Sequence, residues 1–168
     1  MKVLGIDPGT GRLGWAIVQK EKGVLNPIAF GCIQTPANSK LEDRLLTIFE
    51  NLDQIIKDHK PDSASIEDLF FFKNQKTIVS VASARGVVLL VCRQHELPIH
   101  NYTPLQIKST ITGYGTADKK QVEFMVRQTI KLKNDKHLDD TTDALAAALT
   151  HLLRLPAKII RATKSAIW

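Results

Sequence analysis

The stretch Lys2-Val3-Leu4-Gly5-Ile6-Asp7-Pro8-Gly9 constrains this chain more than any other part of it. Val3, Leu4 and Ile6 suit a buried pleated strand, and Pro8-Gly9 ends that strand abruptly. Asp7 is thereby set at the end of a central strand, beside a sharp turn. A carboxylate taken out of water is costly unless it is paired, hydrogen-bonded or bound to a metal. The rest of the sequence has to supply its partners.

Read in order, the pattern predicts strands over Val3–Asp7, Trp15–Gln19 and Ile28–Gln34, with Lys20–Gly23 a polar turn. Leu41, Leu45, Ile48, Leu52, Ile55 and Ile56 then recur at three- and four-residue steps, which predicts a helix over Leu41–His59. Ser39 with Glu42 three residues on reads as its capping box. Ser63–Glu67 reads as a short strand ending, like the first, on a carboxylate. Thr77–His95 reads as a long helix, Pro98–Tyr102 as a fifth strand and Pro104–Thr112 as a short helix with proline in its first turn. Two more helices follow, one around Val122–Ile130 and one over Ala144–Leu153. Strands that can meander, followed by strand–helix repeats, imply an α/β fold: one five-stranded mixed sheet with helices on both faces. The expected division is one domain over residues 1–153 and a basic tail over 154–168.

The 168 residues, 43% hydrophobic and 24% charged, suit one globular domain with a full core. No apolar run reaches the ~18 residues of a membrane span, so no membrane role is expected. The chain opens directly on a strand, which predicts a cytoplasmic protein without a signal peptide. Cys32 and Cys92 lie apart in apolar contexts and read as buried thiols. The five histidines form no close ligand pair, which argues against zinc. The net charge is +6. Setting aside Arg154, Lys158, Arg161 and Lys164 leaves 19 of the 23 cations against all 17 acids, so residues 1–150 carry only +2. An acidic partner such as nucleic acid fits that balance, and so does a neutral enzyme with a solvated basic tail.

Two strands end in acids, Asp7 and Glu67. If those strands are parallel neighbours, both acids emerge at the same carboxyl edge, where open α/β sheets place their ligand sites. Asp140 and Asp143 stand three apart near the start of the last helix, a spacing that shares one helix face. Four converging acids can hold two divalent cations about 3.5–4 Å apart, an arrangement that hydrolyses phosphodiesters. Oxygen ligands favour Mg²⁺ or Mn²⁺. Taken singly, Asp140 could be only an N-cap, Asp143 a dipole-favoured first-turn acid and Glu67 a loop residue. Asp68 and Asp139 point away from their neighbours and are left out of the set.

Gly5-Ile6-Asp7-Pro8-Gly9, Ile66-Glu67 with Phe70 and Lys73-Asn74, Ala84-Arg85-Gly86-Val87, Lys108, Gly113–Lys119 and Asp140–Ala146 together resemble the RuvC Holliday junction resolvases. The resemblance runs from about residue 1 to 153. It implies a ribonuclease-H-like fold, a homodimer, and Mg²⁺-dependent paired symmetric nicking of four-way DNA junctions in recombination and repair. By motif position it makes Asp7, Glu67, Asp140 and Asp143 the catalytic metal ligands, for two Mg²⁺ per subunit that Mn²⁺ replaces. The helix acids are where the family varies most. It also implies interaction with the RuvA–RuvB branch-migration complex.

Lys108 and Lys119 resemble basic residues that line the DNA cleft; unaided by the resemblance they also read as solvated helix-end lysines. Phe70 matches an aromatic that stacks on an exposed base, while Phe71 or Phe72 could be the exposed ring instead. The small residues Ala82–Gly86 suit either a dimer contact or close packing of their helix on its own sheet. The residues admit three other readings. A strand followed by an Asp-Pro-Gly turn also opens sugar kinases and chaperone-type ATPases, but those need two such domains. YqgF-type nucleases acting on RNA share the first motif and lack the Ile66–Asn74 pattern. A non-catalytic junction-binding protein would not need the acids.

Overall fold

The computed structural model describes residues 1–68, 75–131 and 141–156, with backbone alone for 75–77. The expectations for Phe70–Phe72, Lys73-Asn74, Asp139, Asp140 and all of the tail beyond Pro156 lie outside the described residues.

The elements are β1 (Lys2–Asp7), β2 (Arg12–Glu21), β3 (Val24–Gln34), α1 (Leu41–His59), β4 (Ser63–Glu67), α2 (Gln75–Gln94), β5 (Ile99–Tyr102), α3 (Pro104–Thr112), α4 (Lys119–Ile130) and α5 (Thr142–Arg154). The sheet order is β3-β2-β1-β4-β5. β1–β2 and β2–β3 are antiparallel, whereas β1–β4 and β4–β5 are parallel. The expected five-stranded mixed sheet is therefore what forms, and β2 and β3 reach further than their apolar cores predict. Their hairpin closes through Lys22 and Gly23, both at positive φ (50° and 84°), the turn that matches strand twist. Pro27 sits in β3 beside a register shift at Ile17/Val18; β3 is an edge strand, where a missing N–H is tolerated.

Alternation along the strands divides the core in two. Leu4, Ile6, Ala64 and Ile66 pack with Ile48, Leu52 and Ile56 of α1 and Ala84, Val88 and Val91 of α2. Val3 turns the other way, onto α3, α4 and the alanine-rich α5. α5 is buried along nearly its whole length, from Thr142 to Leu152. Small side chains permit this, because they let a helix lie directly on the sheet. Ser65 adds a tie across the seam, its hydroxyl donating to the Ala147 carbonyl at 2.6 Å.

Two helix starts among the described residues are capped by a side chain, and those of α1 and α5 are not. Thr103 caps α3 and Asp118 caps α4, each as a reciprocal capping box with Gln106 and Gln121. α1 is different from expectation: its N-cap is Lys40, with no side-chain cap bond, not Ser39. The Ser39 N–H is already bonded to the Pro36 carbonyl in the preceding turn, so the helix starts one residue later. Cys32 and Cys92 are both free thiols; Cys92 is buried, which pushes it up to about 12, whereas Cys32, expected to be buried, is only half-buried.

Candidate functional site

Pleat parity and register bring the two strand-end acids together. Val3, Gly5 and Asp7 alternate with Leu4 and Ile6, and Ser65 and Glu67 alternate with Ile66, so both acids rise on the α5 face. Ile6 pairs with Ile66 in the parallel β1–β4 ladder, and one further step sets Asp7 beside Glu67 at the carboxyl edge. Asp143 arrives from the first turn of α5. What lets it approach is Gly5: a Cβ there would overlap the Ala144 carbonyl oxygen and lie 2.9 Å from the Ala148 Cβ.

Asp143 acts on both strand-end acids. Burial, and then the Asp143 charge, raise Asp7 to about 6, against some relief from Lys119. Burial raises Glu67 to about 8, with Asp7 and Asp143 adding to the effect and Lys108 and Lys119 opposing it. Carboxylates that are both desolvated and crowded favour an added cation. Lys119 supplies part of that charge, with Nζ 3.5 Å from Asp143 Oδ2. Lys119 is exposed, so this ion pair is a weak one, open to exchange for another partner.

A cleft of about 190 Å³ lies against these groups, lined by Glu67, Asp143, Lys108, Lys119 and Pro104 among others. Two lysines and two acids thus share its lining. Lys108 and Lys119, predicted from α3 and α4, are therefore both at the site. The donor set is all carboxylate oxygen, which suits Mg²⁺ or Mn²⁺. Among the described residues no three acid, histidine or cysteine side chains enclose an ion by themselves. The fourth predicted acid, Asp140, lies outside the described residues, as does Phe70. The helix expected to carry both aspartates begins, among the described residues, at Thr142 with Thr141 as N-cap.

Asp68, set aside in the sequence reading, turns away from the cleft. It pairs with Arg85 of α2, Oδ1 to Nη2 at 2.9 Å. In the sequence Arg85 is visible only as part of the Ala84–Val87 motif, with no role attached to it. The available signal was one permanent cation inside a run of small and apolar helix residues. Gly5 was missed in the same way, because a strand glycine announces a close approach without naming what approaches.

A family model described as crossover junction endodeoxyribonuclease RuvC matches residues 3–151. The chain is 43% identical over 159 residues to a crossover junction endodeoxyribonuclease RuvC from Fusobacterium nucleatum, covering 95% of this chain and 84% of that one. It superposes on Thermus thermophilus RuvC, solved with a Holliday junction substrate, with a TM-score of 0.83 at 30% identity, covering 91% and 93% of the two chains. The yeast mitochondrial Holliday junction resolvase Ydc2 shares the fold, with a TM-score of 0.66 at 15% identity over 90% of this chain and 77% of that one.

Proposed function

The chain belongs to the RuvC family of crossover junction endodeoxyribonucleases, hydrolases that act on DNA, and we propose that it resolves four-way junctions by paired, symmetric, metal-dependent nicks. The observation that carries this reading is the convergence of Asp7, Glu67 and Asp143, the last two lining a cleft that Lys108 and Lys119 share. An RNA-acting YqgF-type nuclease is not favoured, since the family match spans residues 3–151 and the relatives share it over nearly the whole chain.

In this reading Asp7, Glu67, Asp140 and Asp143 hold two Mg²⁺ per subunit, with Mn²⁺ an effective substitute. When bound, these ions supply an activated water and stabilise the leaving oxygen. The protein's own groups do the rest. Asp7 and Glu67, anchored at the ends of paired strands, present their carboxylates in fixed positions, which rigid elements do better than loops. Both are raised toward neutrality without a cation, so loading the site releases protons. Lys108 and Lys119 face the incoming phosphates, and Lys119 can leave Asp143 for a phosphate oxygen. Phe70, three residues beyond Glu67, stacks on a base opened near the junction centre, worth about 1–3 kcal/mol.

A four-way junction has two-fold symmetry, so paired cuts call for two sites related by a two-fold axis. α2 supports a homodimer: Val79, Ala82, Gly86 and Leu90, spaced along one side of the helix, are all exposed. Ala84 in the same stretch is fully buried, so the helix serves both packing readings, one on each side. Partnership with the RuvA–RuvB branch-migration complex and action in the cytoplasm, where the chromosome lies, complete the proposal. No helix among the described residues is long and apolar enough to cross a membrane. The basic segment 154–168, of which Arg154 still closes α5, is assigned to a tail outside the nuclease domain.

The test is a four-way junction incubated with wild type and Asp7→Asn, with Mg²⁺ and with EDTA. Symmetric nicks are expected from wild type in Mg²⁺ alone, and tight binding without cleavage from Asp7→Asn. Preferential cleavage of single-stranded RNA would overturn the reading.

A further inference from the structure

Glu67 is the last residue of β4, so what fixes it is the ladder to β5 and whatever holds that ladder together just beyond it. Its backbone pairs with Tyr102 of β5, and one further ladder bond follows, from the Asp68 N–H to the Tyr102 carbonyl at 2.8 Å. On the opposite face of the sheet, Arg85 reaches down from α2. Its Nη2 donates to Asp68 Oδ1 at 2.9 Å and to Asn101 Oδ1 at 3.0 Å. One nitrogen thus joins the residue after Glu67 to the residue that pairs with Ile66 on the neighbouring strand.

We propose that Arg85 is a positioning residue for Glu67, clamping the end of β4 to β5 so that the carboxylate meets a metal ion in a fixed place. This rests on the reading of Glu67 as a metal ligand given above. Arg85 is a poor device for stability alone. Its side chain is only 16% exposed, so it gives up most of its hydration, whereas its partner Asp68 is 40% exposed and well screened. Pairs of this kind are often matched or exceeded in stability by an apolar side chain of similar size. Val81, Ala84 and Val88 around it show that the helix could have offered one. What an apolar side chain cannot do is hold two acceptors on adjacent strands at fixed distance and direction, which the planar guanidinium does. Groups that orient a metal ligand without touching the metal change affinity by about 10–100-fold when removed.

The test uses the full chain as Arg85→Met, Arg85→Lys and, as reference, Glu67→Gln. Three quantities are measured: Mn²⁺ affinity by calorimetry without DNA, junction affinity in EDTA, and the melting temperature. Arg85→Met is expected to weaken Mn²⁺ binding about 10-fold or more, with junction affinity in EDTA within about twofold of wild type. Arg85→Lys, which keeps the charge and one contact, is expected to recover part of the loss. A folded Arg85→Met that binds Mn²⁺ as wild type does overturns the proposal, whatever its melting temperature. If Arg85→Met does not fold, Asn101→Ala takes its place, with a loss of about threefold expected and wild-type affinity decisive against the clamp. Undiminished Mn²⁺ binding by Glu67→Gln would instead remove the metal-ligand reading itself. A loss in Glu67→Gln with none in Arg85→Met removes only the clamp.

Discussion

Gly5 and Ala144 meet backbone to backbone: a Cβ on Gly5 would overlap the carbonyl oxygen of Ala144. The same Cβ would lie 2.8 Å from the Ala148 nitrogen. α5 therefore rests on β1 without an intervening side chain, and Asp143, one residue before Ala144, is carried to Asp7. Gly5→Ala forces the helix outward. We expect a loss of about 1–3 kcal/mol, as for other overpacked cores, measured by urea unfolding. Cleavage should fall much further than stability does, since a displacement of about 1 Å at a reacting group can cost 10²-fold. Wild-type cleavage by Gly5→Ala would show that the approach of α5 is not what places Asp143.

The crowded acids make the metal-free protein sensitive to alkali. Glu67 is raised from 4.5 to about 8, and Asp7 from 3.8 to about 6. Both bind protons more tightly when folded, so across that window the native state holds more protons than the unfolded state. Stability therefore falls as pH rises from about 4.5 to about 8. In EDTA the expected loss is on the order of 1–3 kcal/mol between pH 5.5 and 8, followed by urea midpoints. Mn²⁺ should restore most of it, and Glu67→Gln should flatten the slope. A metal-free protein equally stable at both pH values would contradict the crowding described above.

Much of this site was legible before the structure because strand ends and helix phases are local. Asp7 and Glu67 were readable as strand-end acids from the apolar residues before them, and α1 was readable from its period. Their juxtaposition is not local; it depends on β1 and β4 being parallel neighbours, which the connection through α1 permits but sequence periodicity does not encode. Arg85 and Gly5 were illegible for the same reason: each matters for what lies across from it in space. Ser39 failed as a cap because a turn bond from its own N–H to Pro36 competes with the helix start.

A second titration lies away from the acids. His151 of α5 is 2% exposed; its Nδ1 is hydrogen-bonded to the Tyr102 hydroxyl at 2.8 Å, and its ring stacks on His100 at 4.0 Å. Burial and the neighbouring His100 lower His151 from 6.5 to about 4. Here the unfolded state binds the proton more tightly, so stability falls as pH drops from about 6.5 to about 4. His151→Phe should remove that acid slope. It should also lose about 1 kcal/mol at pH 7 by stranding the Tyr102 hydroxyl. Urea midpoints at pH 4.5 and 7 for both proteins decide it.

Lys108 and Lys119 should separate from the acids in their salt dependence. Each phosphate neutralised on duplex DNA contributes about −0.9 to the slope of log affinity against log salt. Removing both lysines, as Lys108→Met with Lys119→Met, should make the slope shallower by about 2 and weaken junction binding in EDTA. Asp7→Asn should leave the slope as it is or steepen it. A wild-type slope near zero would rule out an electrostatic mode of junction binding.

Leu90, 61% exposed, and Val79, 63% exposed, lie on the side of α2 away from the sheet. Ala82 and Gly86 between them leave that side low enough for another helix to approach closely. If two chains meet there, Leu90→Glu places like charges near the two-fold axis. Self-association should weaken by about 10–100-fold, as expected for a central apolar contact replaced by a charge. Because Leu90 is exposed within one chain, the melting temperature of the monomer should hardly move. Sedimentation equilibrium measures the first effect and thermal unfolding the second. The junction assay adds the functional consequence: the variant should give single, unpaired nicks where wild type gives symmetric pairs. Symmetric paired nicks from a fully monomeric Leu90→Glu would remove the need for a dimer, and an unchanged dimer would move the interface off α2.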